Sequence, residues 1–311
     1  MAMTELVRMP VDGPFSLAAA AAFGFGPNTG RPLPGGDAMM RLAFVTDDLQ
    51  HQAAAAIRQE PGGGLVADIH GSGDVAAVER QVRRILSVDR PADGWIAAGR
   101  RDPVLGRLQA DHPGLRPVLF HSPYEAAAWA MMSQRRHRSQ ATALRRRLSE
   151  AAGRPFELDG QVEYTFPLPG RLLGVETFPG LEPQRIERLH GVAERALAGD
   201  LDPEVLASMD TDEAMASLRT IPGLGPFYAG LVLLRACGVS DALTGEEPGL
   251  RGYLHHYYGL PGEPDDAEVR RITEAWRPFR TWAAVLIRAS GDRDGVPWRR
   301  AGGHGGGGGS R

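Results

Sequence analysis

The chain has 311 residues, 42% of them hydrophobic and 23% charged, with a net charge of −3. That balance describes a globular protein of two domains or one large one, and it carries too little positive charge for a general nucleic-acid coat. One cysteine, Cys237, excludes a disulfide framework and a four-cysteine iron–sulfur cluster within the chain, and the absence of any lysine excludes side-chain Schiff-base chemistry.

Residues 17–25 are apolar but short, with no basic lead-in and no cleavage site after them. The sequence therefore predicts neither a signal peptide nor a membrane span, and a cytoplasmic location. Residues 39–45 and 65–69 have strand-like content, and Pro61-Gly62-Gly63-Gly64 reads as a turn between strands. Residues 74–86 have helical periodicity, with Val75, Val78, Val82, Ile85 and Leu86 on one face. Residues 103–113 suggest a short helix and loop.

From about residue 117 the pattern reads all-helical. Ser122-Pro123-Tyr124-Glu125 predicts a helix start, with Ser122 as N-cap, Pro123 first in the helix and Glu125 as the reciprocal partner of a capping box. That helix should end near the basic cluster Arg135, Arg136, His137 and Arg138. A second helix is expected over 139–152, where residues 145–147, all arginine, read as a solvated face. Residues 153–170 are punctuated by Pro and Gly, and helices follow near 183–198 and 203–208. Asp210 with Glu213 would cap the next helix, and the helix over 226–237 should end at Gly238, with Cys237 as a buried small apolar residue. Further helices are predicted over 248–258, 265–275 and 279–290. His255-His256-Tyr257-Tyr258 lacks metal-ligand spacing and reads as a helix end. The fold class is α+β: a mixed domain over 1–116, a helical domain over 117–295, and a glycine-rich tail over 296–311.

The most informative segment is Ile221-Pro222-Gly223-Leu224-Gly225, followed 22 residues after Gly225 by the second member of the acidic pair Glu246-Glu247. Two helices joined by this turn form a helix-hairpin-helix. Its glycines permit positive φ and let a phosphate approach the backbone amides, while Ile221 and Leu224 anchor the turn. A carboxylate at a fixed distance downstream could act on what the turn grips.

Residues 220–227, Leu234-Arg235, Asp241, the acidic pair and Trp276-Arg277-Pro278-Phe279-Arg280 together resemble the alkylpurine (3-methyladenine type II) DNA glycosylases of the helix-hairpin-helix superfamily. Phe166-Pro167, residues 189–200 and the opening Asp12-Gly13-Pro14-Phe15 extend the resemblance over about 10–295. It implies a first domain like half of a TATA-binding protein, then a two-lobed helical glycosylase domain. The implied partner is double-stranded DNA with a damaged or modified base, bound by a monomer. The implied activity is base flipping and hydrolysis of the N-glycosidic bond, which leaves an abasic site and requires no cofactor. The absent lysine adds that no lyase step accompanies it.

Residue by residue, the resemblance places Glu247 at the family's catalytic Asp, with Glu246 as the less favoured neighbour. Pro248 would then open a helix and Glu247 would be its N-cap. The base pocket maps to Phe23, Phe227, Leu231, Pro248 and Arg288. DNA contacts map to Pro222, Gly223, Leu224, Gly225 and Gln134, with Arg135 at the wedge position, followed by Arg136. A monovalent cation, Na+ or K+, would sit on the carbonyls of Arg219, Ile221 and Leu224. Two departures matter. Glu is one methylene longer than Asp, and a misplacement of about 1 Å costs roughly 100-fold in rate. Arg288 stands among positions where the family has aromatics, and it would repel a cationic alkylpurine and favour a polar base unless it pairs with an acid such as Glu274. Two alternatives therefore stay open: a DNA-binding homologue that has lost catalysis, and a glycosylase for a bulky polar base.

Overall fold

The computed structural model describes residues 3–23, 38–244 and 249–297. The chain opens with strand β1 (Met3–Met9), helix α1 (Leu17–Phe23), and strands β2 (Met39–Val45), β3 (Gln52–Gln59) and β4 (Leu65–Gly71). The four strands form an antiparallel sheet in the order β1-β4-β3-β2. In β4, Leu65, Ala67 and Ile69 are buried while Val66, Asp68 and His70 between them are half-buried, the period of a strand with one core face. That face packs on α1 and on α2 (Val75–Ile85), whose Val78, Val82 and Ile85 complete the core. Asp74 caps α2 by accepting from the Ala76 amide at 3.1 Å.

The chain after residue 117 is not all-helical. Strands β5 (Pro155–Leu158) and β6 (Gln161–Tyr164) form a hairpin through Asp159-Gly160, both at positive φ. Phe156 and Leu158 cover Ala43, Ala54 and Ala56 on the outer face of the sheet. This second cover is why β3 is buried along most of its length although it is largely alanine, a residue with little strand preference.

Two helical cores complete the molecule. Helices α5 (Pro123–Ser133), α6 (Arg138–Ala152), α7 (Pro169–Leu173), α8 (Pro183–Leu197), α9 (Pro203–Ser208), α10 (Thr211–Arg219) and α11 (Pro226–Ala236) share one. Helices α3 (Asp93–Arg101) and α4 (Pro103–Asp111) share the other with α12 (Leu250–Tyr258), α13 (Asp266–Glu274) and α14 (Arg280–Arg293). Among the described residues no helix is long and apolar enough to cross a membrane.

Ser122 does cap α5, accepting from the Glu125 amide at 3.2 Å, but the capping box is not closed. The Glu125 carboxylate turns away from Ser122. It accepts from the Val45 amide at 3.0 Å and from Arg145 at 2.5 Å, with His121 Nδ1 at 3.2 Å. Arg145 is thus buried and lies over the Phe166 ring, so only Arg146 and Arg147 keep the exposed positions expected of that run. Cys237 is buried, and burial pushes its thiol up to about 12.

Candidate active site

The hairpin forms as its sequence predicts. Helix α10, capped by Asp210 through the Asp212 amide at 2.9 Å, ends at Arg219, and α11 starts at Pro226. Between them Ile221 and Leu224 are buried, and the Leu224 amide donates to the Ile221 carbonyl at 3.0 Å. Gly223 has φ +97°, and a Cβ there would lie 2.8 Å from Met131 Sδ. Pro222 and Gly225 are exposed, and the first amides of α11 have no intrahelical partners. The turn therefore offers backbone donors at a positive helix end, which suits a phosphate.

Gln134 and Arg136 have more structural work than expected. Gln134 donates to the Gly223 carbonyl at 2.7 Å, which ties the turn after α5 to the hairpin. Arg136 donates to the Gly180 carbonyl at 2.7 Å and pairs with Glu182 at 3.2 Å. Arg135 between them is exposed, with φ +56°. Of the three, Arg135 is the side chain presented to solvent at the tip of the turn.

Beside the hairpin lies a cavity of about 300 Å³ that brings together Phe23, Phe227, Leu231 and Arg288 from three separate helices. Helix α11 supplies Phe227, Tyr228, Leu231 and Arg235, one stripe at helical spacing, and α14 supplies Val285, Arg288, Ala289 and Asp292 in the same way. Trp129 of α5 and Arg138 of α6 add to the wall. A narrow recess continues inward past Leu231, Arg235 and Arg288 to Thr244 and Thr281. Gly230 makes room for that wall, since a Cβ there would meet Thr244 Oγ1 at 2.8 Å.

Eight of the described cavity residues escaped the site prediction from sequence, among them Trp129, Tyr228, Arg235 and Arg138. Trp129 lies in a helix buried all round, so no periodicity marks its inner face. Tyr228 packs edge-on to Phe227, with ring centroids 5.0 Å apart, and its adjacency to Phe227 was the available signal. Arg235 is buried, lies 5.6 Å from the Phe23 ring centroid and donates to the Val118 carbonyl at 2.8 Å. Arg138 is held below its ordinary value by burial and then by the like charge of Arg288. Glu274 pairs with Arg277 at 3.0 Å and not with Arg288; among the described residues Asp292, one turn on, lies 4.0 Å from Arg288.

Glu246, Glu247 and Pro248 lie outside the described residues. Their flanks are described. Thr244 lines the inner recess, and Gly249, at φ +80°, is the N-cap of α12. The expected helix start at Pro248 with Glu247 as its cap is therefore corrected: Gly249 holds the capping position because only glycine takes its left-handed conformation without strain. Before Thr244, the segment is fastened. Asp241 accepts from Arg280 Nε at 2.7 Å and from Arg277 at 3.0 Å, and Thr281 Oγ1 donates to the Ala242 carbonyl at 2.7 Å.

The DNA-3-methyladenine glycosylase of Bacillus subtilis (strain 168) is 22% identical to this chain over 214 residues, 68% of the chain and 71% of that protein. DNA-3-methyladenine glycosylase 2 of Escherichia coli (strain K12) is 31% identical over 188 residues; the match covers 59% of the chain and 63% of that protein, less than two thirds of its length. The solved structure of a 3-methyladenine DNA-glycosylase from Archaeoglobus fulgidus aligns with a TM-score of 0.73 at 22% identity, covering 92% of this chain and 98% of the other. That likeness shows a common fold. No family model matches the chain.

Proposed function

We propose that this chain, which is similar in sequence to curated DNA-3-methyladenine glycosylases and in fold to a solved one, is an alkylpurine DNA glycosylase of the helix-hairpin-helix superfamily that extrudes a modified base from duplex DNA and hydrolyses its N-glycosidic bond. The observation that carries the reading is the convergence of Phe23, Phe227, Leu231 and Arg288 on one cavity whose wall, α11, starts at the hairpin turn. The turn grips a phosphate through its amides, and Arg135 fills the gap left in the base stack. The base enters the cavity between aromatic faces, at an unstacking cost of a few kcal/mol.

Glu247 is our choice for the acid that stabilises the developing oxocarbenium ion. In sequence it follows Thr244 of the recess by three residues. Water's oxygen bonds to C1′ and the C1′–N bond breaks with its electron pair on the base. The proton shed by water ends on the departing base. With no lysine in the chain, the reaction stops at the abasic site without imine formation.

Three further assignments belong to this reading. The N-terminal sheet is half of a TATA-binding-protein-like unit. The glycosylase part, assigned to 117–295 from sequence, gains α3 and α4, because they share the core of α12–α14. The neutral carbonyls of Arg219, Ile221 and Leu224 suit a monovalent cation that would bridge to phosphate and take no part in bond breaking, since the Ile221 oxygen keeps a lone pair after accepting from Leu224.

The test is base release. Duplex DNA carrying mixed lesions is incubated with the protein, and freed bases are identified by mass spectrometry beside Glu247→Gln. Release that the substitution lowers by about 100-fold or more, with duplex binding unchanged, supports the reading. Binding without release from any duplex overturns it.

A further inference from the structure

Along α14 the lining residues are graded in depth. Thr281 and Ala284 line only the inner recess, Val285 and Arg288 line recess and main chamber, and Ala289 and Asp292 line only the chamber. Ring faces collect at the same level, since Phe23, Trp129 and Tyr228 line the chamber and not the recess. A base stacked on those rings meets what α14 presents beside them, the Asp292 carboxylate. That carboxylate is held from behind. Tyr253 of α12 is buried, and its hydroxyl donates to Asp292 Oδ1 at 2.6 Å. The ring reaches this place because residue 291 is glycine: a Cβ there would lie 2.3 Å from Tyr253 Cε1. Burial, then the hydrogen bond to Asp292, push the Tyr253 hydroxyl far above its ordinary value, so it remains a donor. The other oxygen, Oδ2, accepts from no donor among the described residues, and Arg288 Nε lies 4.0 Å away, beyond hydrogen-bond reach. Asp292 also stands one residue before the end of α14, where the helix dipole disfavours an acid. The helix thus carries a carboxylate against its local preference, with a tyrosine packed to hold it.

We propose that Asp292 reads the edge of the extruded base and selects a guanine-type purine, whose N1–H and 2-amino group stand side by side as donors. The inference rests on the cavity being the base pocket. The rings stack on any base, so they do not choose among purines. A carboxylate does choose, because it accepts hydrogen bonds and cannot donate them, and its two oxygens match two parallel N–H donors. Oδ2 is open on the cavity side, and Oδ1 keeps a lone pair after accepting from Tyr253. A hypoxanthine-type purine offers one donor at this edge. An adenine-type purine sets a lone pair at N1 against those of the carboxylate. Tyr253 is a positioning residue: it fixes the direction in which Asp292 faces the base.

The experiment compares binding of two duplexes that differ by one amino group. One carries 7-methyl-7-deazaguanine and the other 7-methyl-7-deazahypoxanthine, each opposite difluorotoluene, which pairs with neither. Both bases are neutral, so the charge of Arg288 does not separate them, and the carbon at position 7 resists hydrolysis. Release of 7-methylguanine from a duplex is followed in parallel by mass spectrometry. The guanine probe should be bound about tenfold more tightly than the hypoxanthine probe. Asp292→Asn, with one acceptor oxygen in place of two, should bring that ratio towards one. Tyr253→Phe should lower it part of the way, whereas a merely structural tyrosine would weaken both probes alike and keep the ratio. A ratio of one in the unsubstituted protein overturns the inference, as does a tenfold ratio that Asp292→Asn leaves unchanged. Release of 7-methylguanine together with a ratio of one leaves the glycosylase reading standing and removes this one. A tenfold ratio that Asp292→Asn abolishes, with no release of any base, leaves the edge recognition standing and removes hydrolysis.

Discussion

Glu125 is a buried carboxylate whose three partners come from three parts of the chain: the Val45 amide of β2, His121 just ahead of α5, and Arg145 of α6. It joins the sheet to the helices. Burial alone would push its carboxyl up, but the charges and hydrogen bonds of His121 and Arg145 and the Val45 amide outweigh burial and hold it at about 2. A depressed folded value gives stability that is present in full above the ordinary carboxylate value of 4.5. That stability is lost as pH falls from there through about 2. Urea unfolding between pH 7 and 3 should therefore show an acid limb that Glu125→Gln flattens; an acid limb of unchanged steepness would count against this account. Arg145→Met leaves the carboxylate buried with one partner fewer, and should cost about 3–5 kcal/mol at pH 7. From sequence alone Arg145 looked like one of three solvated arginines. Nothing in a run of identical residues says which one turns inward, because that depends on the position of Glu125 across the helix pair.

At the scale of elements, capped helices with one apolar face were legible and unpatterned ones were not. Helix α2 announces itself with Asp74 and a stripe of valines, α10 with Asp210, and α11 with Pro226 and Gly238. Strand β3 was missed because its alanines carry no strand signal; two covers, one on each face, make it a strand. The β5–β6 hairpin did have a signal, Asp159-Gly160, a pair suited to a two-residue turn, but it was hidden in a segment read as irregular. Helix α4 has a cap whose second use no local pattern could reveal. Asp102 accepts from the Val104 and Leu105 amides at 2.9 and 3.1 Å, and its other oxygen accepts from Trp276 Nε1 at 2.9 Å and the Tyr258 hydroxyl at 2.5 Å. Burial, then the hydrogen bond to Asp102, pushes the Tyr258 hydroxyl far above its ordinary value, so it stays a donor at all working pH. One aspartate thus starts α4 and locks it to α12 and to the corner before α14. Asp102→Ala should cost about 2–4 kcal/mol, since it removes a cap and the acceptor that the buried Trp276 Nε1 and the half-buried Tyr258 hydroxyl share, leaving Trp276 only its contact with the Tyr258 oxygen at 3.2 Å. Asp102→Asn, which keeps an acceptor oxygen, should cost less in the same urea titration.

For the molecule as a whole, a net charge of −3 must be reconciled with the proposed DNA-binding role. The reconciliation lies in how the two kinds of phosphate contact respond to salt. Around the hairpin stand Arg135, exposed at the turn after α5, and Arg188, whose Cδ would lie 3.3 Å from a Cβ at Gly223 and which donates to Gln134 at 3.4 Å. Arg219 is exposed at the end of α10, and Arg195 donates to Thr220 at 2.8 Å. Each such side chain that neutralises a phosphate releases counterions and adds about 0.9 to the slope of log K against log salt. In the proposed mode the hairpin amides hold a phosphate without a full charge, so they should add little to that slope. Binding to duplex DNA should therefore fall with salt at a slope of about −2 to −4, far shallower than for a protein that coats DNA by charge alone. Arg135→Gln and Arg188→Gln should each reduce the slope by about one unit and weaken binding mainly at low salt. Gly223→Ala should behave differently: its φ of +97° and the contact with Met131 force the turn to shift. Affinity should then drop by a similar factor at every salt concentration with the slope retained. A Gly223→Ala variant that changes the slope and leaves high-salt affinity intact would show that the arginines, and not the turn, hold the DNA.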